Sequence, residues 1–295
     1  MRINPDTTAS ILSSLNSASR SEREGLLQLA SGKKIQSPSD DPAVSALLVR
    51  NRSWASANNE YISNCQNLQS MLQSADSVLS AGTSILTRAI TLGVQGSTGT
   101  QSAENRRALA GEVRGIRDQM VSVANTTFRG SYLFAGTASD QPAFSQAADG
   151  TVHYEGNGEV NYCRIGENRS IASNVPGDRL FDAGPASIFS ALNSLITSLE
   201  SNDATSIAEA TSDIRRSFDN LNTERVFYGN AISRLLANNS QLDAKKLDLK
   251  ENEERLVGAD LAETVTSLSR AQTAIQAILT ASGKVSKQSL LDYLQ

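Results

Sequence analysis

The stretch Ile207–Leu256, written in blocks of seven, is IAEATSD IRRSFDN LNTERVF YGNAISR LLANNSQ LDAKKLD LKENEER L. Each block opens on an apolar or aromatic residue: Ile207, Ile214, Leu221, Tyr228, Leu235, Leu242, Leu249 and Leu256. A strand turns its side chains over every two residues and cannot use this period. On a helix, a sustained seven-residue repeat keeps one apolar face in contact with a neighbour and imposes a left-handed supercoil. Such a helix is about 75 Å long at 1.5 Å per residue. Phe218 and Ile232 are expected to supply part of a second row.

A second run has the same period. Trp54, Tyr61, Leu68, Ala75, Gly82 and Ala89 form one row, and Cys65, Leu72, Leu79 and Leu86 form the other. Asp41-Pro42 marks its start, an acceptor at the N-cap followed by proline at the first helical position. Gly93, Gly96 and Gly99 are expected to end it. Leu109, Val113, Ile116, Met120 and Val123 predict a third helix, antiparallel to the second, with Ser102 and Glu104 at its start. Shorter seams lie at the two ends of the chain. Ile11, Leu15, Ala18, Leu26 and Leu29 form one, weakened by Gly25. Leu261, Val265, Leu268, Ile275 and Leu279 form the other, with polar Gln272 on the seam and a break at Gly258. Isolated helices are marginal in water, so these segments must pair with each other or order on a partner.

The middle of the chain differs in kind. Glycines recur through residues 131–184, and Asp149-Gly150 and Asn157-Gly158 each precede alternating β-formers, which predicts two hairpins. The expected fold class is mainly α: a long antiparallel helical rod or bundle with terminal coiled-coil helices and a small β-rich insert. The expected division is 1–40 for an N-terminal assembly helix pairing with 257–295. Residues 41–130 are the first half of the rod, 131–184 the outer insert, 185–256 the second half, and 257–295 the C-terminal assembly helix.

Composition agrees with thin helical layers. The 295 residues include only 7 Phe, 6 Tyr and 1 Trp, too few of the side chains that dominate burial in thick cores. With 27 Lys and Arg against 31 Asp and Glu, the net charge is −4, and there is no basic block. Neither nucleic acid nor an anionic membrane is an expected partner. The N-terminus lacks a basic and an apolar signal region, and the apolar stretches read as too short to span a membrane.

Catalytic chemistry finds little support. His153 is the single histidine, and it falls on a predicted exposed hairpin, a poor place for a triad. Asp40-Asp41 point in different directions and Asp41 already has a capping role, so they do not converge on one proton. Gly156-Asn157-Gly158 fails as a dinucleotide fingerprint because Asn161 follows. Glu251, Glu253 and Glu254 read as a solvated helix face. Cys65 and Cys163 lack zinc-site spacing, and a disulfide would have to join two regions of very different predicted structure. No catalytic, cofactor-binding or metal-binding residue and no small-molecule substrate is expected.

One stretch carries a resemblance. Leu29-Ala30-Ser31-Gly32-Lys33-Lys34-Ile35-Gln36-Ser37-Pro38-Ser39-Asp40-Asp41-Pro42-Ala43 resembles the N-terminal signature of the bacterial flagellin superfamily. The two prolines make it more similar to the hook–filament junction members than to the filament subunits. Gly130-Ser131-Tyr132-Leu133-Phe134-Ala135-Gly136-Thr137 agrees, as does Ala259-Asp260-Leu261-Ala262-Glu263 running to Ser289-Leu290-Leu291-Asp292-Tyr293-Leu294. The cysteines are a departure, because cysteine is unusual in flagellar axial proteins.

The resemblance implies a structural adaptor, one ring of identical subunits between hook-associated protein 1 and the flagellin filament. It implies an extracellular, flagellar location, reached unfolded through the flagellar type III channel with a cytoplasmic chaperone and no cleaved signal. Assembly would run through the terminal helices. The interface candidates are Ile11, Leu15, Leu26 and Leu29 with Leu261, Val265, Leu268, Ile275, Leu279, Leu290 and Leu291. The nearest rival is a flagellin, which would grow long filaments from seeds. A soluble helical ligand-binding or signalling module is the rival of a different class, and would show saturable small-molecule binding.

Overall fold

The computed structural model describes the backbone of residues 5–293 and the side chains of residues 9–284. Three helices come first: α1 Pro5–Ser31, α2 Pro42–Ser97 and α3 Ala103–Ala124. Three short antiparallel strand pairs follow: β1 Thr127–Phe128 with β2 Ser131–Tyr132, β3 Phe144–Gln146 with β4 Val152–Tyr154, and β5 Tyr162–Gly166 with β6 Arg169–Ala172. The chain then returns to helix in α4 Gly177–Phe181, a 3₁₀ turn at Gly184–Ala186, α5 Ile188–Ser201, α6 Ala204–Val257 and α7 Leu261–Tyr293. The fold class is mainly α, with the β pieces confined to the middle of the chain.

The chain divides into two compact units, residues 58–244 and residues 1–57 together with 245–295. In the first, α2 and α6 run antiparallel. Asn58 bonds the Leu242 carbonyl, Arg225 pairs with Asp76, and Gly82 lies against Leu221. Leu72, Leu79 and Leu86 on α2 and Ile207, Ile214, Leu221 and Leu235 on α6 are all fully buried. Each buried leucine contributes about 1.5–3 kcal/mol. Helix α3 adds Leu109, Val113 and Met120, and α5 adds Leu192, Leu195 and Leu199. By length and composition part of α2 could cross a membrane, but here its leucines form this core.

The seven-residue row of α6 is the core row, with Leu242 and Leu256 half-buried. Phe218 and Ile232 are half-buried and pack against the core, as part of a second row should. Ala210, Ser217, Ala231 and Asn238 are more deeply buried still. On α2 the expected row fails at Trp54, which is 53% exposed. The buried row instead continues Leu72, Cys65, Asn58, Asn51.

Gly93 and Gly96 do not break α2. A Cβ at Gly93 would lie 2.3 Å from Thr211 Oγ1, and one at Gly96 would lie 2.5 Å from Leu199 Cδ2. Both glycines are helical positions where another helix comes too near for a side chain. The helix stops at Ser97, and Ser102 caps α3, its Oγ accepting from the Asn105 N–H at 3.2 Å.

Of the two predicted hairpins, Asp149-Gly150 lies in the β3–β4 connection, with Gly150 at φ 88°. Asn157-Gly158 heads no hairpin. Asn157 Oδ1 instead accepts from Thr137 N–H at 2.8 Å, and the Tyr154 hydroxyl donates to the Asn157 and Phe134 carbonyls at 2.8 and 3.0 Å. Side-chain and backbone bonding has claimed the segment, and the β5–β6 turn falls at Glu167-Asn168. Burial pushes the Tyr154 phenol up to about 12. Phe134, Phe144 and Phe181 of the insert and Phe189 at the start of α5 pack ring against ring at 5.2–5.6 Å.

Candidate assembly interface

In the second unit, α1 and α7 pair antiparallel, with Gly25 against Leu268 and Lys33 bridged to Gly258. Lys34 N–H donates to the Val257 carbonyl at 2.7 Å, and Ala259 N–H to the Gly32 carbonyl at 3.0 Å. The two connecting loops therefore clamp each other where the helices meet. Asp40 organises the loop before α2. Its carboxylate accepts from the Gln36 and Ser37 N–H groups at 2.9 and 2.8 Å and from the Ser37 hydroxyl at 2.9 Å. These bonds, led by the Ser37 backbone, hold Asp40 below the usual carboxylate range. Asp41 Oδ1 accepts from the Ala43 and Val44 N–H groups, each at 3.0 Å, and so caps α2. Both aspartates are structural. Asp260 does the same for α7 through the Ala262 N–H at 2.9 Å.

The α1–α7 seam consists of Ile11, Leu15, Ala18, Glu22 and Gly25 facing Thr264, Leu268, Ala271, Ile275 and Ile278. Four of the candidates, Ile11, Leu15, Leu268 and Ile275, lie on it. Leu26, Leu29, Leu261, Val265 and Leu279 do not; they are 41–56% exposed. On α7, Leu268 and Ile275 keep their expected places, while Thr264, Ala271 and Ile278 face α1 in place of Val265, Gln272 and Leu279. The reason is steric: Gly25 and Ala18 let the helices approach, and a close approach selects small partners. The larger leucines then face outward. Leu290 and Leu291 lie outside the residues whose side chains are described.

Three exposed features escaped the sequence reading. Leu12 and Leu27, 55% and 48% exposed, extend the outward apolar face of α1. A groove of about 430 Å³ is lined by Leu47, Asn51, Trp54 and Leu256, with the Arg50 guanidinium 5.3 Å from the Trp54 ring centre. A larger one, about 740 Å³, runs beside Leu27, Ile35, Asp40, Val44 and Leu256. An apolar residue left off the best-scoring row reads as surface, so periodicity alone does not find them.

His153 stands exposed on β4, opposite Ser145, and takes part in no triad. Glu251 and Glu254 are exposed, whereas Glu253 is half-buried and pairs with Arg52 of α2 at 2.9 Å. Among the described residues no group of three or more His, Cys, Asp or Glu side chains is placed to hold a metal ion.

The bacterial flagellin N-terminal helical region matches residues 4–139, and the flagellin C-terminal helical region matches residues 211–294. The chain is 28% identical over 274 residues to flagellar hook-associated protein 3 of Escherichia coli, covering 85% of this chain and 86% of that protein. It is also 28% identical over 258 residues to a flagellin of Listeria innocua, covering 85% of each. The fold is that of hook-associated protein-3 from Legionella pneumophila, with a TM-score of 0.61 at 17% identity over 69% of this chain and 98% of that one. Helices at both ends, a β insert between them and these matches lead to one conclusion: the chain belongs to the bacterial flagellin family, as a structural and non-catalytic component of the flagellum.

Proposed function

We propose that this protein is the junction subunit of the flagellum, a ring of identical copies between hook-associated protein 1 and the flagellin filament. The observation that carries the reading is the similarity to hook-associated protein 3 along nearly the whole of both chains. The terminal pair supplies a physical means. Its inner seam holds Ala18, Glu22, Gly25 and Ala271, while Leu12, Leu26, Leu27, Leu261, Val265 and Leu279 face outward. Apolar side chains on the outside of a two-helix pair gain most when neighbouring subunits cover them. The chain would reach that site unfolded through the type III channel, accompanied by a cytoplasmic chaperone. Ordering entropy would then be offset by burial at the moment of assembly.

A deletion of the gene tests the reading. Hooks should lack filaments, with flagellin made and lost unassembled to the medium. Normal filaments would overturn it. Similarity to the Listeria flagellin favours a second reading, a filament subunit, which predicts bare hooks with no unassembled flagellin in the medium and long polymers from seeds in vitro. Replacing Leu26, Leu261 and Leu279 together by serine should leave helix content unchanged and abolish complementation. Full complementation by that variant would remove the outward leucines from the interface.

A further inference from the structure

Cys65 and Cys163 are far apart in sequence, and both are free thiols. The fold brings their segments together. Cys65, fully buried on α2, belongs to the core cluster against which Cys163 packs. On β5 the side chains alternate, so Cys163 and buried Ile165 share the face turned to the helices, while Tyr162 on the other face is 71% exposed. Asn64, the chain neighbour of Cys65, donates from Nδ2 to the carbonyl of Arg164, the chain neighbour of Cys163, at 3.0 Å. Asn238 Nδ2 contacts both segments at once, 3.3 Å from Cys65 Sγ and 2.9 Å from the Ile165 carbonyl oxygen. One direct bond, from Asn64, and one bridge through Asn238 of α6 thus hold β5 against α2 beside the two cysteines.

We propose that Cys65 and Cys163 are a latent disulfide pair, a modification site at which oxidation joins β5 covalently to α2. The oxidant is a small-molecule disulfide. The half-buried Cys163, as thiolate, attacks one sulfur of the oxidant, forming a mixed disulfide and releasing one thiolate. Cys65, after losing its proton, attacks Cys163 Sγ, forming the internal bond and releasing the second thiolate. Two protein thiols are oxidised as one disulfide is reduced to two thiols, and the two protons go to the released thiolates or to solvent.

Burial raises both thiols above the ordinary cysteine range, and Cys163 is raised further by the charge of Cys65. That mutual influence agrees with sulfurs that lie close together. It also makes the pair slow to oxidise at neutral pH and faster as pH rises, because the thiolate is the nucleophile. The bond would close a long loop of the unfolded chain, the case in which a cross-link restrains the unfolded state most. The inference does not depend on where in the flagellum the subunit sits.

The test uses the purified full-length chain, folded, with oxidised glutathione at pH 7 and pH 8.5. The expected product is a monomer that has lost two hydrogens by mass and both titratable thiols, formed faster at the higher pH. Peptide mapping should join Cys65 to Cys163, and Tm should rise by about 5 °C or more, reversed by reductant. Cys163→Ser should fold normally and show neither change. A glutathione adduct that persists on Cys163, thiols that stay free at pH 8.5, or dimers as the only oxidised product would each overturn the proposal.

Discussion

Asn58 Nδ2 donates to the main-chain carbonyl of Leu242 at 2.9 Å, and one heptad along, Asn51 Nδ2 makes the same bond to Leu249 at 2.8 Å. Both asparagines are 5% exposed and continue the buried row of Leu72 and Cys65. In each compact unit, then, α2 meets α6 through an amide where an apolar side chain would otherwise be expected. A buried polar group at such a seam fixes register at some cost in stability. Each bond is satisfied only when the helices are in this alignment.

Asn58→Ala should therefore destabilise by about 1–3 kcal/mol, from the lost bond and the space left behind. Asn58→Leu should be far milder, since it continues the apolar row and leaves the carbonyl its intrahelical partner. Urea unfolding separates the two. Equal losses would mean that the lost amide bond, not packing volume, sets the effect.

Glycines in these helices should respond with opposite signs. Ala is favoured over Gly inside a helix by about 1 kcal/mol. Around Gly111 there is nothing within 4 Å of an added Cβ, so Gly111→Ala should raise stability by about 0.5–1 kcal/mol. At Gly93 the Cβ would meet Thr211 Oγ1, which already donates to the Ile207 carbonyl at 2.7 Å, with Thr211 Cβ only 3.2 Å away. Overpacking outweighs propensity, and Gly93→Ala should cost about 1–3 kcal/mol. Thermal melts of both variants check the signs. Stabilisation at Gly93 would refute the close approach.

Much of the helical frame is legible from periodicity, because the core of a long antiparallel pair is one-dimensional. Ile207, Ile214, Leu221 and Leu235 follow directly from a repeat of seven. Reading the minor rows needs the partner helix. Trp54 fits the repeat yet is exposed, since Asn58 and Asn51 occupy the contact with α6. The terminal seam keeps Leu268 and Ile275 but takes Ala271 and Ile278 for Gln272 and Leu279 for the same reason: Gly25 and Ala18 look like weak points in a hydrophobic row but govern how near α7 can come. The role of Arg106 at the start of α3 is invisible in sequence, because it joins the nearby end of α2 to Asn202, which is distant along the chain. Asn157-Gly158 has the right turn chemistry, and tertiary bonds to Thr137 and Tyr154 override it.

Acid sensitivity should centre on aspartates that accept backbone N–H groups. Asp40 lies below its ordinary value of 3.8, chiefly through the Ser37 backbone N–H. Asp203, at the start of α6, is lowered chiefly by the Ser206 side chain, with the Thr205 N–H also donating at 3.0 Å. A carboxylate depressed in the folded state contributes its full stability above the unfolded value and loses it as pH falls through the folded value. Stability should thus be flat in this respect above about pH 4 and decline below it. Carboxyl carbon titration by NMR should place both midpoints below 3.8. Asp40→Asn should remove part of the decline. A midpoint at or above the ordinary value would show that the Ser37 turn is not formed in solution.

Arg106 is the sharpest case of a charge held in place by backbone. It is 5% exposed at the start of α3. Nε donates to the Gly96 carbonyl at 2.8 Å, Nη2 to the Thr98 carbonyl at 3.2 Å, and Nη1 to the Asn202 carbonyl and Oδ1 at 3.1 and 2.6 Å. These acceptors sit at the C-terminal ends of α2 and α5, where unsatisfied carbonyls favour a cation. The guanidinium thereby ties the α2–α3 turn to the α5–α6 turn, whose Asn202 is held at φ 59°. Arg106→Met keeps much of the stem but strands several buried carbonyls, and should cost about 2–4 kcal/mol. Arg106→Lys should recover little, because an ammonium cannot reproduce the fork that reaches both turns. Hydrogen exchange should speed up near Thr98 and Asn202 in both variants while the Leu72 and Leu79 amides stay protected. If the lysine variant unfolds at the wild-type urea concentration, charge alone suffices and the fork geometry is dispensable.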